Sequence, residues 1–159
     1  MTDVTEDKTV STALAMGSDH LGADLRMAIK AHLAERGFEV TDFGIAPGQE
    51  IDYPDIAAPV ARAVAGGQFP RAILVCGTGI GMAIAANKVH GVRAASVGDV
   101  YSARKARSSN NAQILCLGSQ VVGPGLALEL VDTWLEAEFA GGRSAPKVAK
   151  IDALDDVRR

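Results

Sequence analysis

Five short apolar runs, separated by stretches of helical periodicity, constrain this chain more than any other feature. The runs are "TALAMG" (12–17), "FEVTDFG" (38–44), "AILVCG" (72–77), "VRAASVG" (92–98) and "QILCLG" (113–118), each closing on glycine. Helical spacing fills 23–36, 55–65, 81–88, 101–108 and 125–139. Nearly continuous apolar strands alternating with helices predict a parallel sheet covered on both faces. Right-handed crossovers then make it α/β: a single-domain, Rossmann-like, three-layer αβα sandwich around a five-stranded parallel sheet. Ligands of such folds sit beyond the carboxyl ends of the strands, which points to 17–20, 44–53, 76–81, 98–101 and 118–120.

At 159 residues, 48% of them apolar, the chain has material for one substantial core. Residues 1–11 read as a flexible polar leader and 12–159 as the folded domain. Its last stretch, "GGRSAPKVAKIDALDDVRR", carries Val148, Ile151 and Leu154 at helical spacing, and is expected to form a C-terminal helix packed on a neighbouring surface. A net charge of -3, with no basic run, argues against nucleic acid as a partner. No stretch reaches the ~20 apolar residues of a membrane span and the first ten residues lack a signal-peptide core, so a cytoplasmic location is expected. The two cysteines, Cys76 and Cys116, lie in apolar runs and are read as free thiols. The three histidines are scattered, no cluster has zinc-ligand spacing, and no metal is expected. His32 and His90 are read as solvent-facing, Cys116 as a core residue, and Trp134 as part of the apolar stripe of the last long helix.

The stretch "AILVCGTGIGMAIAANK" (72–88) carries the chemistry. Glycines at 77, 79 and 81 let successive backbone N–H groups point into one concavity, which suits an anion. The spacing fails as a dinucleotide fingerprint, which would need glycine where Met82 stands, and no Walker-type Gly-Lys-Ser/Thr follows. Cys76 stands at the mouth of this nest, where N–H groups and a helix start stabilise a thiolate. Nucleophile, general base, redox thiol and plain buried strand residue all remain open on the residues alone.

Further along, "GSDHLGADLR", "DYPD", "ILVCGTGIGMAIAANKVHGVRAA", "YSARKA", "NNAQILCLGSQVVG" and "AGGR" together resemble the ribose-5-phosphate isomerase type B family, which also holds galactose-6-phosphate isomerase subunits. The resemblance spans roughly residues 12–155. It implies an aldose–ketose isomerase of sugar phosphates that moves a proton between C1 and C2 through a cis-enediolate, without metal or organic cofactor. By the same resemblance Cys76 is the base and Thr78 assists proton movement at the substrate oxygens. The N–H groups of Gly77, Gly79 and Gly81 stabilise the enediolate. Asp19 and His20 contact the sugar and its phosphate, Tyr53 lines the pocket, Asn110 bonds a hydroxyl, and Arg143 and Lys147 hold the phosphate. Asp19 has a second reading as the cap of the following helix. The family's sites form between subunits, so a homodimer or tetramer is implied, with a small-molecule sugar phosphate as the ligand.

Two positions depart from the pattern. Ser109 stands where the family's ring-opening histidine is found, and a serine does not titrate near neutral pH. Gln120 stands where many members have arginine. Ribose 5-phosphate is the substrate the resemblance implies first. A tetrose 4-phosphate is the main rival, because it cannot close a five-membered ring and needs no ring-opening acid; hexose 6-phosphates and a non-catalytic sugar-phosphate-binding module are the other readings.

Overall fold

The structure, a computed structural model, describes residues 11–157; the leader expected over 1–11 falls outside it except for Ser11. Strands β1 (Ala13–Ser18), β2 (Glu39–Asp42), β3 (Ala72–Cys76), β4 (Ala94–Ser96) and β5 (Ile114–Gly118) form one parallel sheet of order β2-β1-β3-β5-β4. Between and after them run α1 (Ala23–Glu35), α2 (Tyr53–Ala65), α3 (Ile80–Ala86), α4 (Val100–Ser108), α5 (Pro124–Glu136) and α6 (Ala145–Ala153). The expected three-layer sandwich is thus the observed one.

The strand order explains the layering. The crossovers from β1 to β2 and from β4 to β5 step toward the β2 edge, and their helices α1 and α4 pack with α5 on one face. Those from β2 to β3 and from β3 to β4 step the other way, and α2 and α3 cover the opposite face. A constant crossover hand requires this sorting. Each face has its own core: Leu14, Met16, Ile73, Leu115, Leu130 and Trp134 on the α1/α5 side, and Ala15, Val60, Leu74, Met82, Ile114 and Cys116 on the α2/α3 side.

Continuous apolar strands hold for the three central ones, of which β3 and β5 are buried along their whole length. The two edge strands are half-exposed, and β2 carries Glu39, Thr41 and Asp42. Several helix ends differ from the periodicity. The last long helix stops at Glu136 rather than 139, because Ala137 leaves the helical region (ψ 145°) and the Leu135 carbonyl takes a hydrogen bond from the Arg71 guanidinium instead. The third stops at Ala86, where Asn87 turns its amide onto both backbone groups of Ala94, at 2.8 Å each. His32 is not solvent-facing: it is half-buried with Nε2 2.8 Å from Asp132 Oδ1, joining α1 to α5. α6 buries Val148, leaves Ile151 exposed and is tied to its own chain by the Arg93–Asp152 ion pair, at 2.6 Å. Among the described residues no helix is long and apolar enough to cross a membrane.

Candidate active site

The sheet reverses its order between β1 and β3, whose following crossovers leave in opposite directions. Beyond their carboxyl ends lies a pocket of about 370 Å³ lined by Asp19, Tyr53, Cys76, Thr78, Gly81 and Gln120. This is the crevice where open α/β sheets hold ligands.

Three loops build it, and hydrogen bonds lock them together. Ser119 and Gln120 donate their N–H groups to the carbonyls of Cys76 and Gly77, at 2.8 and 2.9 Å. Ser119 Oγ donates to the Leu21 carbonyl at 2.8 Å. The loop after β3 sits hard against the end of β5: a Cβ on Gly118 would stand 2.5 Å from the Thr78 carbonyl carbon, so only glycine leaves the room. Gly79 takes φ +78°, a left-handed turn that starts α3 and turns its N–H back.

That turn decides what the thiol meets. Cys76 is 4% exposed, at the floor of the pocket, and the Gly79 N–H donates to its sulfur at 3.1 Å. Negative charge on the sulfur strengthens such a bond. Ile80 N–H is likewise held, by Thr78 Oγ1 at 3.3 Å. Among the described residues the N–H groups of Gly77, Thr78 and Gly81 have no acceptor, so these are the donors left for an oxyanion. Asp19, 4% exposed, answers to both of its readings. Its Oδ1 accepts the Gly22 N–H at 3.0 Å and caps the turn into α1, while Oδ2 has no partner among the described residues. The Tyr53 ring closes the side over Gly81, where a Cβ would lie 2.6 Å from the ring.

The remaining expected site residues are elsewhere. His20, next to Asp19, is exposed and lines the adjoining groove against Arg26 and Met27. Ser109 caps the end of α4 and Asn110 follows it; Arg143 lies in the 3-10 turn Gly142–Ser144 and Lys147 in α6. Asn110 lines a groove beside β4 with Ile151 and Asp152, and Arg143 and Lys147 are exposed. All four follow helices that return to the amino edge of the sheet, and the N–H of Ala140 on the Ser108 carbonyl ties the two segments together. None of the four lines the Cys76 pocket of the same chain.

Sequence reasoning missed the apolar rim of the pocket. Leu21, Ile80, Ile84 and the adjacent Val121 are 50%, 56%, 58% and 63% exposed around its mouth. The signal that could have found the first three is their place just after the strand ends: Leu21 lies in the loop after β1, Ile80 opens α3 between Gly79 and Gly81, and Ile84 is one turn further along that helix. Cys116 is a free, fully buried thiol, and Cys76 is likewise free. Burial, and then the neighbouring Cys76, push the Cys116 thiol upward, so it stays neutral. In the register Leu74 pairs with Cys116 and Cys76 with Gly118, which sets the two cysteines diagonally, about 8 Å apart at Cα. That exceeds the ~7 Å a disulfide tolerates, and removes Cys116 as a resolving thiol. Among the described residues no group of three His, Cys, Asp or Glu is placed to hold a metal ion.

Comparison with known proteins places the chain beside sugar-phosphate isomerases of the same fold. The sequence pattern of the ribose/galactose isomerase family matches residues 14–151. A ribose-5-P isomerase B of Listeria innocua is 47% identical over 146 residues, 92% of this chain and 99% of the relative. A D-erythrulose-4-phosphate isomerase of Pectobacterium atrosepticum is 51% identical over 140 residues, 87% of this chain and 92% of the relative. The solved ribose-5-phosphate isomerase B of Clostridium thermocellum superimposes with a TM-score of 0.89 at 50% identity, covering 91% of this chain and 98% of that one.

Proposed function

Since the chain belongs to the ribose/galactose isomerase family and is an aldose–ketose isomerase of sugar phosphates, we propose that Cys76 is its base and ribose 5-phosphate its substrate. The observation that carries the base is the Cys76 sulfur at the pocket floor with the Gly79 N–H on it. The thiolate takes the proton from C2 of the open-chain aldose, and the electron pair moves onto the C1 carbonyl oxygen to give a cis-enediolate. The free N–H groups of Gly77, Thr78 and Gly81 take the developing negative charge. Thr78 Oγ1 passes the hydroxyl proton between O1 and O2, and the thiol returns its proton to C1. Asp19 Oδ2 and Tyr53 hold the sugar hydroxyls. The reaction is a proton transfer throughout and calls for no cofactor.

The rest of the site comes from a second copy. Among the described residues the Cys76 pocket has no cation for a phosphate, and this chain's Arg143 and Lys147 are not part of its lining. A homodimer that sets the amino edge of one sheet against the pocket of the other supplies Ser109, Asn110, Arg143 and Lys147. It also covers the rim of Leu21, Ile80, Ile84 and Val121. A cytoplasmic location belongs to the same reading.

A second substrate reading rests on Ser109. With serine in place of a ring-opening acid, a tetrose 4-phosphate, which enters without a furanose ring to open, suits the site. D-erythrulose-4-phosphate isomerases of P. atrosepticum and Mycolicibacterium smegmatis, 51% and 43% identical to this chain, support it. Turnover of ribose 5-phosphate, erythrose 4-phosphate and a hexose 6-phosphate by wild type and Cys76→Ala decides both points. The expected result is isomerisation of one sugar, with kcat falling by about 10² to 10⁴ in the variant. Preference for the tetrose replaces ribose 5-phosphate as the substrate, and undiminished kcat in Cys76→Ala removes the cysteine as base.

A further inference from the structure

At the amino edge of the sheet, between the end of α5 and the last turn of α4, a second cavity of about 490 Å³ is lined by Pro70, Arg71, Arg107, Leu135 and Glu138, among others. Its two guanidinium groups set it apart. Among the described residues Arg26, Arg36 and Arg93 each hold a carboxylate, in Asp42, Asp132 and Asp152. Arg71 and Arg107 hold none. Arg71 is 5% exposed; it donates to the Leu135 carbonyl at 2.9 Å and lies 5.5 Å over the Trp134 ring. Arg107 donates to Asn111 Oδ1 at 2.9 Å, while its buried Nε–H has no acceptor among the described residues.

Two guanidinium groups drawn partly or wholly out of water with no ion pair of their own are costly, and Glu136 and Glu138 on the cavity wall pair with neither among the described residues. Burial first, and then the field of a neighbouring arginine, lowers both guanidinium pKa values, with Arg107 acting on Arg71 and Arg93 on Arg107. Glu138 is close enough to oppose this at Arg107, but forms no ion pair with it among the described residues. Planar guanidinium forks match the oxygens of a phosphate, and both side chains line this cavity. The cavity exceeds one phosphate and is within the size of small-ligand pockets.

We propose that this cavity is an anion site separate from the Cys76 pocket, in which Arg71 and Arg107 bind a phosphate group, free or as the ester of a small molecule. The test uses the full chain carrying Arg143→Ala and Lys147→Ala, which takes away the cations assigned to the sugar-phosphate site. Inorganic phosphate and glycerol 3-phosphate are titrated calorimetrically at constant ionic strength. The expected result is saturable binding in this background, weakened about tenfold or more by Arg107→Gln. Glu138→Gln tightens it, since a carboxylate beside the bound dianion is gone. Tighter binding of glycerol 3-phosphate identifies an ester as the occupant, and equal or weaker binding identifies free phosphate. Absence of saturable binding, binding that survives Arg107→Gln in a folded chain, or an affinity indifferent to Glu138→Gln overturns the proposal. Glu138 is on the surface, so that variant reads out even if Arg107→Gln does not fold. The titration records binding alone, so a chain that isomerises none of the sugars can still fill or fail to fill this cavity.

Discussion

Cys76 and Cys116 are the same residue type on neighbouring strands, yet they differ in every respect that matters to chemistry. One ends its strand at a pocket floor with an N–H on its sulfur; the other is closed inside β5, its thiol held neutral by burial. The expected consequence is selective alkylation. In the folded protein iodoacetamide modifies Cys76 and leaves Cys116, while both react in denaturant, as peptide mass spectrometry reads directly. Modification of Cys116 in the folded state contradicts its placement. The sequence distinguished the two by position alone, because a cysteine followed by alternating glycines leaves its strand and one inside "QILCLG" does not. It did not reveal that the Gly79 N–H serves the sulfur and not the substrate, since a backbone vector depends on the φ of +78° at that residue.

At the scale of elements, the site depends on contacts between loops that the periodicity cannot foresee. Gly118→Ala touches no substrate, but its Cβ would drive into the Thr78 backbone at 2.5 Å, and backbone does not swing aside as a side chain does. Activity is expected to fall by about tenfold or more, a transition-state loss near 1.4 kcal/mol, in a chain whose circular dichroism stays that of wild type. Unchanged kcat/KM means that the loop after β3 shifts without cost. A second element, α4, starts from Asp99, whose Oδ1 accepts the Ser102 N–H at 2.7 Å. Hydrogen bonds from Ser102, side chain first, hold this carboxyl below its ordinary value of 3.8. A lowered folded-state pKa means that the cap's contribution is complete above the unfolded value and fades as pH drops through the folded one. Asp99→Ala therefore lowers Tm at neutral pH, and the gap to wild type closes as the pH falls from 3.8 through the lowered folded-state pKa. A gap that is constant with pH assigns the effect to something other than the charged cap.

For the whole molecule, the decisive feature is that the expected site residues stand at two edges of one sheet. Mixing tests this. Cys76→Ala and Arg143→Ala chains, each inactive alone, are unfolded together and refolded. Random pairing makes half of the dimers hybrid, each with one intact site, so about one quarter of wild-type activity returns. No recovery places the complete site within a single chain. Read from the sequence alone, the alternation of apolar runs and helical stretches determined the layers and the parallel sheet, because burial on both strand faces and the length of a crossover are local properties. The same run of residues located Cys76, Thr78 and the glycines, since a strand end and the loop after it are contiguous in the chain. Only the tertiary structure decided the order β2-β1-β3-β5-β4, the polar edge strands, the rim of Leu21, Ile80 and Ile84, and the unpaired Arg71 and Arg107. It also decided that Ser109, Asn110, Arg143 and Lys147 do not line the Cys76 pocket of their own chain. Which strands become neighbours, and which edge a returning helix delivers its last residues to, follow from how whole layers pack, and that is not written in the spacing of residues along one chain.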